Sequence, residues 1–293
     1  APGLGWGAAL NRGEWGGLKA LLGGMLVVGL TAACSGPALT PLQAQYQRET
    51  ERALRYQARG ELPAALAAWR ESLRWAEIAD DSPAILTQAL NIGTVALALG
   101  DEALAASSFQ QAQRLAAATP DPAGALRARL GLARIDLRQS RFAAAQAAFQ
   151  QALAEARGHD PAAVLVALNG LALTQQGLEQ TDAARAALAE AEPLARAHGD
   201  PRLLAATLAN RAALALRRGE IAAAGRDLEE ASALDRTAEN LPGLAHDLTL
   251  LARVRQRQGD ALAAQALEQQ AQTILRHTGQ YLQTRQSARD HDP

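Results

Sequence analysis

The feature that most constrains this chain is a set of small residues recurring through it in fixed register. A first series reads Ala53, Gly93, Ala133, Ala172, Ala212 and Ala252. Twelve residues after each comes alanine: Ala65, Ala105, Ala145, Ala184, Ala224 and Ala264. Seven residues further on lies Ser72, Ala112, Ala152, Ala191, Ala231 or Ala271. A large residue stands between the last two in five copies, as Trp69, Phe109, Phe149, Leu188 and Leu228, while the sixth has Glu268 beside Leu267. The period is 40, 40, 39, 40 and 40 residues. Small residues at fixed spacing let two helices approach closely, and the large residue fills the gap toward the next pair. A single hairpin of this kind cannot bury its apolar face, so neighbours must stack.

Punctuation follows the same register. Asp81-Ser82-Pro83, Asp121-Pro122, Asp160-Pro161, Asp200-Pro201 and Asn240-Leu241-Pro242 separate the copies. A capping side chain ahead of proline is a helix start. Gly60, Gly100, Gly177, Gly219 and Gly259, with Ser140 in the third copy, are expected to end the first helix of each pair. The composition agrees with an all-helical chain. It is 48% hydrophobic but only 3% aromatic, and the strong helix formers alanine, leucine, glutamine and arginine dominate it.

The small–small–large–small spacing resembles the tetratricopeptide repeat family, whose unit is shorter by the length of these proline-containing linkers. Tryptophan and tyrosine are missing from that family's usual first-helix sites. The resemblance covers residues 46–278 and implies an all-α, right-handed α-solenoid (superhelix) of six repeats. The repeats fall at about 46–79, 86–119, 126–159, 165–198, 205–238 and 245–278. A polar segment, 279–293, follows them.

The first 45 residues have another character. Residues 20–33 are an uncharged run of fourteen, preceded by Arg12 and Lys19 and closed by Thr31, Ala32, Ala33 and Cys34. A basic leader, a short apolar core and small residues make a secretory signal. The run is short of the ~20 apolar residues that span a bilayer. Ala32, Ala33 and Cys34 resemble the lipobox of bacterial lipoproteins, with Thr31 where leucine is usual. That resemblance implies a signal peptide over 1–33, a lipid on the Cys34 thiol and a tether over 34–45. Ser35 after the cysteine implies the periplasmic face of the outer membrane. The single cysteine excludes an internal disulfide.

No enzyme signature is found. His159, His198 and His277 come near the ends of second helices, where a cation complements the helix dipole. His-Glu-x-x-His, a phosphate-binding glycine loop and a Gly-x-Ser-x-Gly elbow do not occur. No catalytic residue, cofactor or metal is therefore expected. The formal net charge of −1 gives no general attraction to nucleic acid.

In the repeat family the first helices line a concave surface that holds peptides. Candidate groove residues are Leu90 and Leu97, seven apart on one helical face, with Leu130/Leu137 and Val166/Leu173 repeating the spacing. Arg127, Arg134 and Arg138 share a face, and Arg217, Arg253 and Arg257 occupy similar places later. A groove apolar toward its early repeats and basic later would suit a protein segment with apolar anchors and carboxylates. The leucines could equally be core and the arginines a solvated face. Lys19 is the only lysine, so the choice of arginine over lysine carries no message of its own.

The expected function is a lipid-anchored scaffold or adaptor of the bacterial envelope, with a protein or peptide partner. The layout of signal, lipid and six repeats also resembles type IV pilus or secretion assembly lipoproteins. An envelope hydrolase or a cytoplasmic regulator of the same fold are readings of a different class.

Overall fold

The computed structural model describes residues 39–277, and Cys34, the signal-like segment and the tail lie outside them. Among these described residues twelve α-helices follow one another: α1 Pro41–Ala58, α2 Leu62–Ile78, α3 Ser82–Leu99, α4 Glu102–Ala118, α5 Pro122–Arg138, α6 Phe142–Ala156, α7 Pro161–Gly177, α8 Thr181–His198, α9 Pro201–Arg217, α10 Ile221–Thr237, α11 Leu241–Arg257 and α12 Ala261–His277. No strand occurs among the described residues. Each helix packs on the next in sequence, and from α3 onward each odd-numbered helix also touches the next odd-numbered one. The architecture is the expected all-α solenoid of six hairpins. The odd helices form its inner wall, and α1 starts at Pro41, ahead of the repeat start expected at 46.

The small residues lie where the register requires. Ala53, Ala133, Ala172, Ala212, Ala65, Ala105, Ala145, Ala184 and Ala224 are completely inaccessible. Ser72, Ala112, Ala152, Ala191 and Ala231 are equally buried. Trp69, Phe109, Phe149, Leu188 and Leu228 are the buried fillers between hairpins, whereas Glu268, at the same place in α12, is exposed. The largest apolar cluster runs from α5 to α10 and joins Phe149, Leu165, Leu168, Leu188 and Leu208. Helix α3 is apolar enough to pass for a membrane span, but Leu86, Leu90 and Leu97 are core residues, so burial on both sides explains its composition.

Large and small residues are matched between neighbouring hairpins. Phe109 lies against both Gly93 and Gly131, where an added Cβ would meet its ring at 2.8 and 2.5 Å. Phe149 lies against Gly170 in the same way. Gly131 and Gly170 hold one repeat position. Where the preceding filler is the smaller Leu188 or Leu228, that position carries Asn210 or Leu250. Volume removed from one helix is thus returned by the helix before it, keeping the interior filled.

The caps confirm most of the punctuation. Asp81, Asp121, Asp160 and Asp200 each accept a backbone N–H from the first turn of the following helix. Asn240 makes no such bond; its amide donates to Asp235 at 2.9 Å. Gly60, Gly100, Ser140, Gly219 and Gly259 all have positive φ, as the turn requires. Gly177 does not: it closes α7 inside the helix, under the Phe142 ring, and Glu179 takes the left-handed conformation instead. Glu179 is the residue seven places after Ala172, the distance at which every other copy turns. Gly177 is therefore a packing glycine.

Replacing Gly170 by alanine should cost about 1–3 kcal/mol, the usual penalty for overpacking. Adding Phe149→Leu should recover part of that loss, because the ring is what the new methyl meets. Chemical denaturation of the two single variants and the double variant checks this. Strictly additive losses would show that the glycine and the ring are not coupled.

Candidate functional site: the inner groove

Two hollows open on the inner wall. The first, of about 190 Å³, is lined by Leu90 and Thr94 of α3, Phe109, Arg127, Leu130, Gly131 and Arg134 around α5, and Val166 of α7. The second, of about 240 Å³, is lined by Gln176 of α7, Ala213, Leu216 and Arg217 of α9, and Leu250, Arg253 and Arg257 of α11. Five of the expected arginines thus fall into two clusters.

The register explains the clustering. Arg134 and Arg253 stand one place after the crossing alanine, as do Leu54, Thr94, Leu173 and Ala213. Arg127 and Val166 stand six places before it, as does His246. These two positions share the face that looks into the groove. Leu90 and Leu97 are three residues out of this phase, which turns them toward the hairpin. Leu97 is only 2% exposed and packs in the core of the second hairpin; Leu90, at 1%, shows only an edge at the floor of the first hollow. Val166 is a residue the spacing had already offered, whereas Thr94, Gln176 and His246 are not; counting from the small residue at each crossing would have found Thr94 and His246.

The arginines differ in what holds them. Arg138 is committed to its neighbour: Nε donates to Glu102 at 2.8 Å and Nη1 to the carbonyl of Leu97 at 3.0 Å. Arg217 holds the equivalent place and donates to the carbonyl of Gln176 at 3.1 Å. Both use carbonyls in the last turn of a helix, which accept a turn N–H from Gly100 and Glu179 and have a second lone pair to offer. They stitch one inner helix to the next. By contrast, Arg127, Arg134, Arg253 and Arg257 make no hydrogen bond or ion pair among the described residues. Away from the hollows, Arg129, Arg157, Arg196, Arg211 and Arg255 are paired with carboxylates.

Arg134 and His246 reach solvent yet are surrounded by protein. Loss of hydration and the charge of Arg138 lower the pKa of Arg134. Loss of hydration and the charge of Arg253 lower that of His246, favouring the neutral ring. The groove is walled in at its mouth. Leu54, Gln57 and Ala58 of the first hairpin share a further hollow with Arg202, Glu239, Asn240 and Pro242 from the fifth and sixth. A roomier hollow, about 490 Å³, lies elsewhere, between Arg157, Pro161, Val164, Leu194 and His198. Its Arg157 and Glu190 satisfy each other at 2.6 Å, so it offers less unspent polar capacity than the groove.

Behind the groove sit two buried acids, Asp235 of α10 and Asp247 of α11, at 2% and 1% exposure. Burial, and then the neighbouring Asp235, push Asp247 up to about 8. Burial raises Asp235 to about 6, against the pull of Asn240 and Arg202. One carboxyl oxygen of Asp247 has no hydrogen-bond partner. No group of three or more metal-ligating side chains occurs among the described residues.

No protein-family model and no curated protein matches the chain. Solved structures do match, at identities that establish the fold alone. BtubC (BKLC) from P. vanneervenii is 18% identical with a TM-score of 0.52, the alignment covering 87% of this chain and 95% of that one. Aspartyl phosphate phosphatase F from Bacillus subtilis is 14% identical with a TM-score of 0.53, over 84% and 78%. PilW, described as a widely conserved type IV pilus biogenesis factor, is 19% identical with a TM-score of 0.51, over 82% and 97%. All three are helical-repeat proteins of tetratricopeptide type, and the fold of this chain is a TPR-like solenoid.

The two buried acids set a pH dependence. Both folded pKa values lie above the unfolded one, so their neutral forms hold full stability below about pH 4. That stability is lost as pH rises, through about 6 for Asp235 and about 8 for Asp247. Asp247→Asn should raise stability at pH 8 by roughly 1–3 kcal/mol and leave it nearly unchanged at pH 4. Urea unfolding across that range checks it; an equal effect at both ends would remove the buried-acid account.

Proposed function

We propose that this chain is a protein-binding scaffold, tethered to a bacterial envelope membrane by a lipid on Cys34, that holds a partner segment in its inner groove. The observation that carries the reading is the groove itself. Apolar side chains floor it, and arginines without acceptors stand over that floor. Neither hollow contains a carboxylate or a nucleophile set beside a base, which a hydrolase would require. Thr94, the one hydroxyl in the first hollow, donates to Leu90 of its own helix at 2.8 Å.

A narrower reading places the protein among the assembly factors of type IV pili or secretion machines on the periplasmic face of the outer membrane. It is supported by the signal-like leader and by the likeness to PilW along 97% of that chain. The membrane attachment would run through the lipid alone, since several acyl chains anchor firmly at about 0.8 kcal/mol per buried CH₂.

Two measurements test this. Labelled palmitate should be incorporated by the wild-type chain and lost in Cys34→Ala; an unlabelled wild type would remove the anchor. A photoactivatable amino acid at Leu173, on the groove face, should trap a discrete protein in intact cells. The same probe at Gln150 on the outer helix α6 should not. Identical products from both positions would remove the groove as the binding site.

A further inference from the structure

The groove does more than offer a surface, because the polar groups left unpaired in its two hollows are donors. In the first hollow the free groups are the guanidinium donors of Arg127 and Arg134. In the second they are those of Arg253 and Arg257 and the remaining donors of Arg217. Gln176 lines the second hollow as well. It is 8% exposed, and its side-chain N–H group is buried without an acceptor. A buried donor left unsatisfied costs the full loss of its hydration, and a ligand acceptor would recover it. Neither hollow contains an acidic side chain. Elsewhere on the inner and outer faces, Arg129, Arg138, Arg157, Arg196, Arg211 and Arg255 have protein carboxylates of their own.

We propose that the groove reads a bipartite acidic motif: one extended protein segment bearing two carboxylate clusters, the first held by Arg127 and Arg134, the second by Arg253, Arg257 and Gln176. The proposal rests on the groove being the binding site. The two hollows are centred on α5 and on the α9–α11 pair, a little over two inner-wall helices apart. Packed helices lie about 8–10 Å apart, so the clusters are separated by about 20 Å. An extended chain covers about 3.3 Å per residue, which sets the acidic clusters about six residues apart. The residues between them would lie over Val166, Leu173 and Ala213 and should include a small or apolar anchor.

The chemistry favours a short acidic segment of protein over a nucleic acid. The chain as a whole carries a net charge of −1, so its outer surface does not attract a long polyanion. Stacking platforms for bases are missing too: Phe109 is the one aromatic residue lining either hollow, and it is buried.

The test uses the full chain in detergent and fluorescein-labelled peptides carrying two Asp-Glu pairs around a central leucine, with spacings from two to twelve residues. Anisotropy should give the tightest binding near six and weaken steeply with salt. Arg134→Glu and Arg253→Glu should each lower affinity by about tenfold or more, the loss expected for a charge-assisted contact. Replacing by lysine the acidic pair that faces the reversed arginine should restore binding to that variant and not to the other. A neutral peptide binding equally well, affinity independent of spacing, or tighter binding of an oligonucleotide would each overturn the proposal. The failures are separable. A crosslink from Leu173 to a partner segment without acidic clusters would overturn the motif and leave the scaffold; no groove-specific crosslink would remove the scaffold itself.

Discussion

Everything in this molecule depends on how closely two helices can approach when the residues at their crossing are alanine. Packed helix axes lie 8–10 Å apart according to the side chains between them, and alanine sets the near end of that range. Six crossings of this kind fix six hairpins in almost the same geometry. The fillers then have only one place to go, the seam between one hairpin and the next. Because each hairpin leaves its apolar face to its neighbour, the core is a continuous strip. Stability in such an array accumulates from interfaces between repeats.

The same close packing explains the exceptions. A phenylalanine filler asks for more room than a leucine, and the following helix gives it by carrying glycine. Gly131 and Gly170 are costs in helix propensity accepted for volume, and Gly177 is the same device at the end of α7. The left-handed turn near it then falls to Glu179, a residue poorly suited to that conformation. Turn and packing thus compete for the glycine in the fourth repeat, and packing has it. The buried acids Asp235 and Asp247 are a second departure from an alanine-rich interior, and they place a pH-sensitive joint between the last two hairpins.

The groove is the by-product of this stacking that a partner could use. Hairpins related by a constant turn put equivalent residues in a row along the inner wall. Arg134 and Arg253 share one such row, with Leu173 and Ala213 between them. Arg157 and Arg196 on the outer side and Arg138 at a seam found carboxylates within the fold. Arg127, Arg134, Arg253 and Arg257 on the inner wall did not, which leaves their donors for an acceptor from outside.

The six hairpins, their register, most of their caps and the residues at each crossing are legible in the sequence. These are local or periodic properties: a capping aspartate, a small residue every 40 positions, an alternation of helix and turn. It also grouped the inner arginines by spacing. It did not determine which face of each first helix looks inward, and for that reason Leu97 was grouped with groove residues it does not join, and Leu90 with residues it meets only by an edge. A phase error of three residues turns a side chain by about 60° around a helix, enough to exchange core for groove. Nor could spacing separate Arg138 and Arg217, which meet carbonyls of the preceding repeat, from Arg127, Arg134, Arg253 and Arg257, which do not. Those contacts span some forty residues of chain and exist only once the superhelical turn brings neighbouring hairpins together. That turn is a property of the stacked array, set by the volumes of many side chains at once, and it exists only when the hairpins pack.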